Sequence, residues 1–301
     1  MEEETKGLLI INPCSGKGKA KKCAQKIKEL FGKSGYNMEL VFTSKRGDAE
    51  KFAKEANGVN IIVCVGGDGT LNEIVNGLMA NENKIPVGYI PMGSTNDFAS
   101  SIGIPKNFKK AVKFIVNGKD KELDICKFNN RYLAYVGAAG LFTETSCSTS
   151  QKIKNRFGRF AYFLFGIKEL FNKKMVHLKF KIEDEIIEDD FLFVAIGNTR
   201  QIGGVLKFKG NVVQLTDGFF ELLLIKYPKN IFQLSRAVKL YNRKLWDTEI
   251  LRMIHAKEVT IYDEDNVLWT LDGEKYLGKE KEHRVKLVPK ALTIRIAKDE
   301  I

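Results

Sequence analysis

The chain has 301 residues but only five cysteines and six prolines. Cys14, Cys23, Cys64, Cys126 and Cys147 are odd in number, widely spaced and contain no Cys-x-x-Cys pair. That excludes a zinc ribbon or a disulfide framework as the basis of the fold and points to reducing cytoplasm. No run of about 18 apolar residues occurs, so no membrane-spanning helix is expected, and the opening Met1-Glu2-Glu3-Glu4-Thr5 is acidic where an export signal would be basic. Internal repeats, low-complexity tracts and Pro- or Ser-rich linkers are missing too, so the parts of the chain should share an interface rather than swing on a tether. There is also no Walker A loop. Gly32-Lys33-Ser34 supplies the final triplet, but Ile27 stands where the first glycine is needed and a helix precedes it.

What is present is ordinary globular material, 44% hydrophobic and 29% charged, enough to build cores without a cofactor. The length suggests two domains or one large one. Lys and Arg number 49 against 37 Asp and Glu, a net charge of +12, which draws the protein toward phosphates, nucleic acid or an anionic membrane face. No recognisable nucleic-acid-binding motif accompanies that charge.

The first half alternates short apolar runs with amphipathic stretches. Residues 7–11 read as a buried strand opening into a glycine-rich loop. Ala20, Cys23, Ala24, Ile27, Leu30 and Phe31 then recur at helical spacing, ending near Gly32 or Gly35. The pattern repeats as strand 38–43, helix 48–56, strand 60–65, helix 70–79, strand 86–90 and helix 108–116. It predicts an α/β domain, a doubly wound and largely parallel sheet whose ligands sit beyond the carboxyl ends of the strands. After about Leu123 the texture becomes strand-like, at 131–136, 176–182, 191–196, 219–226, 258–262, 267–271 and 292–296, which predicts a mostly antiparallel β domain.

Three strand ends carry polar, glycine-containing loops: Asn12-Pro13-Cys14-Ser15-Gly16-Lys17, Gly66-Gly67-Asp68-Gly69-Thr70-Leu71-Asn72-Glu73 and Pro91-Met92-Gly93-Ser94-Thr95-Asn96-Asp97-Phe98. Each alone reads as turn chemistry. Together, at one edge of one sheet, they read as an anion site, because free N–H groups at a helix start and glycines allow the chain to approach phosphate. Asp68 would repel phosphate unless a divalent cation binds there as well. A plain turn with Thr70 as helix cap accounts for the glycines and leaves Asp68 idle.

These motifs, in this order, resemble the diacylglycerol kinase catalytic family, which includes sphingosine and ceramide kinases; the soluble Gram-positive-type bacterial enzymes are nearest in length and texture. The resemblance runs over nearly the whole chain. It implies an α/β nucleotide-binding domain, residues 1–124 joined by the last strand at about 290–301, and a β-sandwich lipid-substrate domain at 125–289. It implies ATP held by Asn12, Pro13, Cys14, Ser15 and Gly16, by Thr43, by Gly66, Gly67, Asp68, Gly69, Thr70, Leu71 and Asn72, and by Ser94, where the family more often has Thr.

In the second half, Leu271-Asp272-Gly273-Glu274 resembles the family's Asp-Gly-Glu element, which makes Glu274 the expected general base; an Asp-Gly hairpin turn is the plain alternative. The resemblance also implies that Asp68, Asp97 and Asp124 share a water-linked network around catalytic Mg²⁺, although Asp97 can equally cap the following helix. It implies a structural Mg²⁺ at Asp217 with the carbonyls of Gln214 and Phe219. Residues 152–174 combine aromatics with seven cations and can lie in an anionic membrane interface or pack on the β domain. The implied partners are ATP, a membrane lipid substrate and an anionic membrane face touched peripherally, with no nucleic acid and with a homodimer open. A kinase of a soluble acceptor and a non-catalytic membrane-binding module are the competing readings.

Overall fold

The computed structural model describes residues 5–140, 175–204, 206–208, 212–278 and 280–297. Cys147 and the 152–174 segment lie outside them. The first lobe runs β1 Thr5–Ile11, α1 Lys19–Gly32, β2 Tyr36–Phe42, α2 Asp48–Glu55, β3 Ile61–Gly66, α3 Asp68–Met79, β4 Val87–Pro91, α4 Asp97–Ser101 and α5 Phe108–Val116. Every residue of β3 and β4 is buried, as expected of central parallel strands covered on both faces.

Strand order here is β2-β1-β3-β4, all parallel. The chain steps outward from β1 to β2, then turns back past β1 to β3 and β4. Right-handed crossovers therefore place α1 on one face and α2 with α3 on the other. The contacts agree, with α2 packed on α3 and α1 on α5. That reversal creates a crevice between the ends of β1 and β3, the place where doubly wound sheets bind ligands.

The chain continues through β5 Lys119–Phe128, β6 Arg131–Leu133, β7 Gly137–Gly140, β8 Val176–Ile182, β9 Glu185–Gly197, β10 Gln201–Ile202, β11 Leu206–Lys207 and β12 Phe220–Lys226. It ends with α6 Ile231–Arg243, β13 Leu251–Ala256, β14 Glu258–Tyr262, β15 Leu268–Leu271, β16 Glu274–Leu277 and β17 Glu282–Ile296. Pairing is antiparallel throughout this lobe. Its core gathers Phe128, Phe180, Phe191, Phe220 and Trp269, all fully buried. Each such side chain contributes about 1.5–3 kcal/mol when it leaves water.

Among the described residues one continuous 15-stranded sheet joins the lobes, and β17 is the bridge. Its first half pairs with β14, and its end pairs in parallel with β4 at Ile294 and Val87. Along its length β17 also lies against β5, with an irregularity between Val288 and Leu292. Several elements were not predicted, among them α4, β5, β13 and α6. Five-residue α4 is too short to show periodicity. The polar start of β5, Lys119-Asp-Lys-Glu, hides a strand edge, and α6 interrupts a region whose texture is otherwise all strand.

Candidate active site

The three glycine-containing loops meet at the crevice. Gly67 and Gly93 touch through their backbones: a Cβ on Gly93 would lie 2.6 Å from the Gly67 Cα, a distance no larger residue could occupy. A Cβ on Gly16 would lie 3.1 Å from the Met92 carbonyl, so the first loop abuts the third. The Met92 amide donates to the Gly66 carbonyl at 2.6 Å, which carries the β3–β4 ladder one residue past the strands. Asn12 fastens the first loop to α3, since its Nδ2 donates to the Thr70 hydroxyl at 3.1 Å while its Oδ1 accepts from the Cys14 amide at 3.0 Å.

Thr70 is thus not the helix cap. Helix α3 begins two residues earlier, at Asp68, with Gly67 as its cap, and the Thr70 hydroxyl is an inter-loop contact. Leu71 is wholly buried and its amide bonds to Gly67 within the helix. The Asn72 amide group donates to the Tyr132 carbonyl and to Asp272. These two residues therefore support the site from behind. Cys14 and Ser94 are exposed, and Pro13, Ser15 and Thr43 are partly so; the Thr43 amide holds the end of β2 on the Ile11 carbonyl at 2.9 Å.

Asp68 and Asp97 come together. The Asp68 carboxylate accepts from the backbone amides of Asp97 at 3.1 Å and Phe98 at 3.3 Å, pinning the third loop to the second. Burial raises its pKa to about 6, against the lowering effect of those amides, and the nearby Asp97 adds to the rise. The Asp97 carboxylate does not cap α4. Its Oδ1 accepts from the Gln201 side chain at 2.8 Å and the Gly204 amide at 2.9 Å, and burial again raises its pKa. Gln201 is a site residue that sequence reading missed; it has no motif of its own, and only the fold brings β10 onto α4.

Asp124 is held by a different pair of backbone amides. Its two oxygens accept from the Gly218 and Lys290 amides, each at 2.8 Å. The cause is the irregularity in β17: Asp124 sits opposite it, between Leu123 and Ile125, which pair with Leu292 and Val288. Lys290 adopts φ 50 and turns its amide out of the ladder, where a side-chain acceptor must meet it. The carboxylate thus touches the backbone of the Asp217 turn.

Glu274 does reach the crevice. Its Oε1 lies 3.2 Å from where a Gly69 Cβ would be, so the carboxylate stands against that turn of α3. Its Oε2 pairs with Arg46 at 3.2 Å, and both side chains are solvent-accessible. Arg46, on the loop after β2, was not predicted. A cavity of about 300 Å³ adjoins the pair, lined among others by Arg131, Tyr132, Lys275 and Tyr276.

The preceding Asp272 is the anchor that makes this possible. It is 1% exposed, at φ 49, and accepts from the amides of Ala134, Tyr135 and Val136 and from Asn72. Burial raises its pKa to about 6 despite those bonds. The Asp-Gly turn therefore fixes β15–β16 to both the 134–136 segment and α3, and Glu274 projects from the clamp.

At the second acidic turn, the Asp217 carboxylate accepts from the Phe219 amide at 3.1 Å. Gln214 is exposed, and the Phe219 ring lies under the Lys257 ammonium at 5.0 Å. Two residues on, burial raises the pKa of Glu221 to about 9, with Asp217 adding to the rise. Among the described residues no three His, Cys, Asp or Glu side chains are grouped to hold a metal. A cation here would need backbone carbonyls and water to complete its shell, the usual habit of Mg²⁺.

Glycine loops at a sheet switch point, facing a carboxylate delivered by a second, β-rich lobe, define a two-lobed phosphotransferase. The comparisons agree. Residues 6–128 match the diacylglycerol kinase catalytic domain, and residues 138–296 match the YegS C-terminal NAD kinase beta sandwich-like domain. The chain is 33% identical to diacylglycerol kinases of Staphylococcus epidermidis and Staphylococcus aureus over 90% of its own length and 86% of theirs. It superposes on the crystal structure of a diacylglycerol kinase from Bacillus anthracis with a TM-score of 0.79, covering 99% of this chain and 98% of that one at 26% identity. The chain belongs to the diacylglycerol kinase family and is an enzyme of the lipid-kinase class.

Proposed function

We propose that the protein transfers the γ-phosphoryl group of ATP to the hydroxyl of a membrane lipid, with diacylglycerol as acceptor and phosphatidic acid as product. The observation that carries this reading is the Glu274 carboxylate facing Gly69, where the second lobe delivers a proton acceptor to the phosphate loops of the first. In this reading the nucleotide occupies the lobe of residues 1–124 and 290–301, and the lipid enters from residues 125–289.

The loops at 12–16, 66–70 and 93–94 cradle the phosphates through backbone amides. Asp68, half-buried, and Asp97, buried, are both pushed toward neutrality and are suited to a cation that would favour their ionised forms. When bound there, Mg²⁺ neutralises charge on the phosphates. Glu274 accepts the proton of the acceptor hydroxyl as that oxygen attacks, and Asp272 keeps the Glu274 backbone in place. Arg46 pairs with Glu274 in the crevice and stands where it can meet phosphate once the pair opens. Asp217, with the carbonyls of Gln214 and Phe219, would hold a second, structural Mg²⁺. The net charge of +12 favours peripheral contact with anionic membrane. Among the described residues no helix is long and apolar enough to cross one.

The test is transfer of label from γ-labelled ATP, with Mg²⁺, to a panel of lipids in mixed micelles. Label on diacylglycerol supports the assignment. Label on a different lipid changes the acceptor, and label only on soluble acceptors overturns the lipid reading.

A further inference from the structure

Helix α6 presents to solvent a face that its packing does not explain. Its inner face is well fixed. Leu234, Ala237 and Val238 are buried, the Asn230 side chain caps the first turn by accepting from the Gln233 amide at 2.9 Å, and the Tyr241 ring stands edge-on to Trp246. Three- and four-residue spacing sets Phe232, Arg236, Lys239 and Arg243 in one stripe on the opposite side, and all four are exposed.

Phe232 is 80% exposed, more than any other large hydrophobic side chain among the described residues, so its ring forgoes the gain of burial. The helix carries no acidic residue, and among the described residues no ion pair holds Arg236, Lys239 or Arg243. Asp247 and Glu249 share a depression with Arg236, but Lys226 and Arg252 line it too. A merely solvated face needs neither an exposed ring nor the exclusion of acids.

Cations around an aromatic ring on the free side of a helix match a bilayer surface, where the ring enters the acyl boundary and the cations meet anionic headgroups. We propose that the outer face of α6 is the docking surface for an anionic lipid bilayer. This rests on the lipid-kinase reading and names the surface by which the enzyme meets its substrate's membrane. The position fits that purpose. The Lys207 amide donates to the Tyr241 hydroxyl at 2.9 Å, Lys207 pairs with Gln201 in the β10–β11 hairpin, and Gln201 donates to Asp97 at 2.8 Å. One hairpin therefore separates the docked helix from the third phosphate loop.

Binding of the full chain is measured by flotation with vesicles of phosphatidylcholine, alone or mixed with phosphatidylglycerol, without nucleotide or diacylglycerol. Wild type should bind the mixed vesicles and be released by salt. The triple variant Arg236→Gln, Lys239→Gln, Arg243→Gln should bind them roughly 100-fold more weakly, the effect of losing three cations beside an anionic leaflet. Phe232→Ser should weaken binding about tenfold. Each variant should melt like wild type, since no packed side chain is removed. A control with the same loss of charge on exposed positions of the first lobe, Lys54→Gln, Lys84→Gln, Lys113→Gln, should bind like wild type. Equal loss in both triple variants overturns the proposal, because net charge rather than this face would then bind. Unchanged binding in both α6 variants, or a wild type that ignores vesicles, overturns it as well; label transfer to diacylglycerol in mixed micelles then still decides the lipid-kinase reading. Self-association that Phe232→Ser abolishes while vesicle binding persists assigns the face to a second copy of the chain and likewise overturns it.

Discussion

Glu274 and Asp68 show how single carboxylates are set for different work. Glu274 is solvent-accessible, ion-paired with Arg46 and aimed at Gly69; it can take a proton without first being desolvated. Glu274→Gln keeps shape and hydrogen bonding, so the fold should be unchanged by circular dichroism. Turnover should fall by about 10²–10⁴, the usual worth of a positioned base, and substantial residual activity would remove Glu274 from that role.

Asp68 is tuned by burial, and its sign of pH dependence follows. Its folded pKa of about 6 lies above the ordinary 3.8, so the folded state holds more protons between those values. Its stability contribution is intact below about pH 4, declines as pH rises, and is lost above about pH 6. Asp68→Asn should therefore stabilise the cation-free protein by about 1–3 kcal/mol at pH 7.5, and urea unfolding at pH 4 should show no such gain. Activity should be lost in the same variant, the usual trade between stability and a strained site.

At the scale of elements, the loops matter as an interlocked set. The second and third loops touch at Gly67 and Gly93, with no side chain between them to yield. Gly93→Ala must push the backbones apart, at a cost of about 1–3 kcal/mol. The separation should loosen the phosphate cradle, raising the KM for ATP at least tenfold while leaving the KM for lipid little changed. Equal increases in both constants would show instead that the loops position the acceptor. Asp272 does comparable work in the other lobe: three backbone amides and Asn72 converge on it, so the Asp-Gly-Glu turn is a clamp as well as the carrier of the proposed base.

For the whole molecule, the two lobes are one sheet. Strand β17 pairs with β14 and β5 and then reaches β4, so neither lobe completes its sheet without it. Calorimetry should show a single cooperative melting transition, with or without Mg²⁺, and truncation at Val288 should abolish that transition in both lobes. Two separated transitions would mean that β17 joins the lobes without coupling their stability.

The sequence alone determined whatever depends on neighbours along the chain. Continuous apolar runs and helical spacing located β1, β3, α1 and α5, because burial of a periodic face is written residue by residue. The Asp-Gly-Glu motif pointed to Glu274, and the glycines marked the loops. Only the tertiary structure decided what depends on distant contacts. It turned Thr70 from a cap into a tether for Asn12, gave Asp97 to Gln201, and brought in Arg46. It also set the Asp124 carboxylate on the Gly218 and Lys290 amides, because a bulge in β17, more than 160 residues later, exposes an amide that only a side-chain acceptor can satisfy. Backbone donors must be met wherever the fold leaves them, and the fold, not the local sequence, chose Asp124 to meet this one.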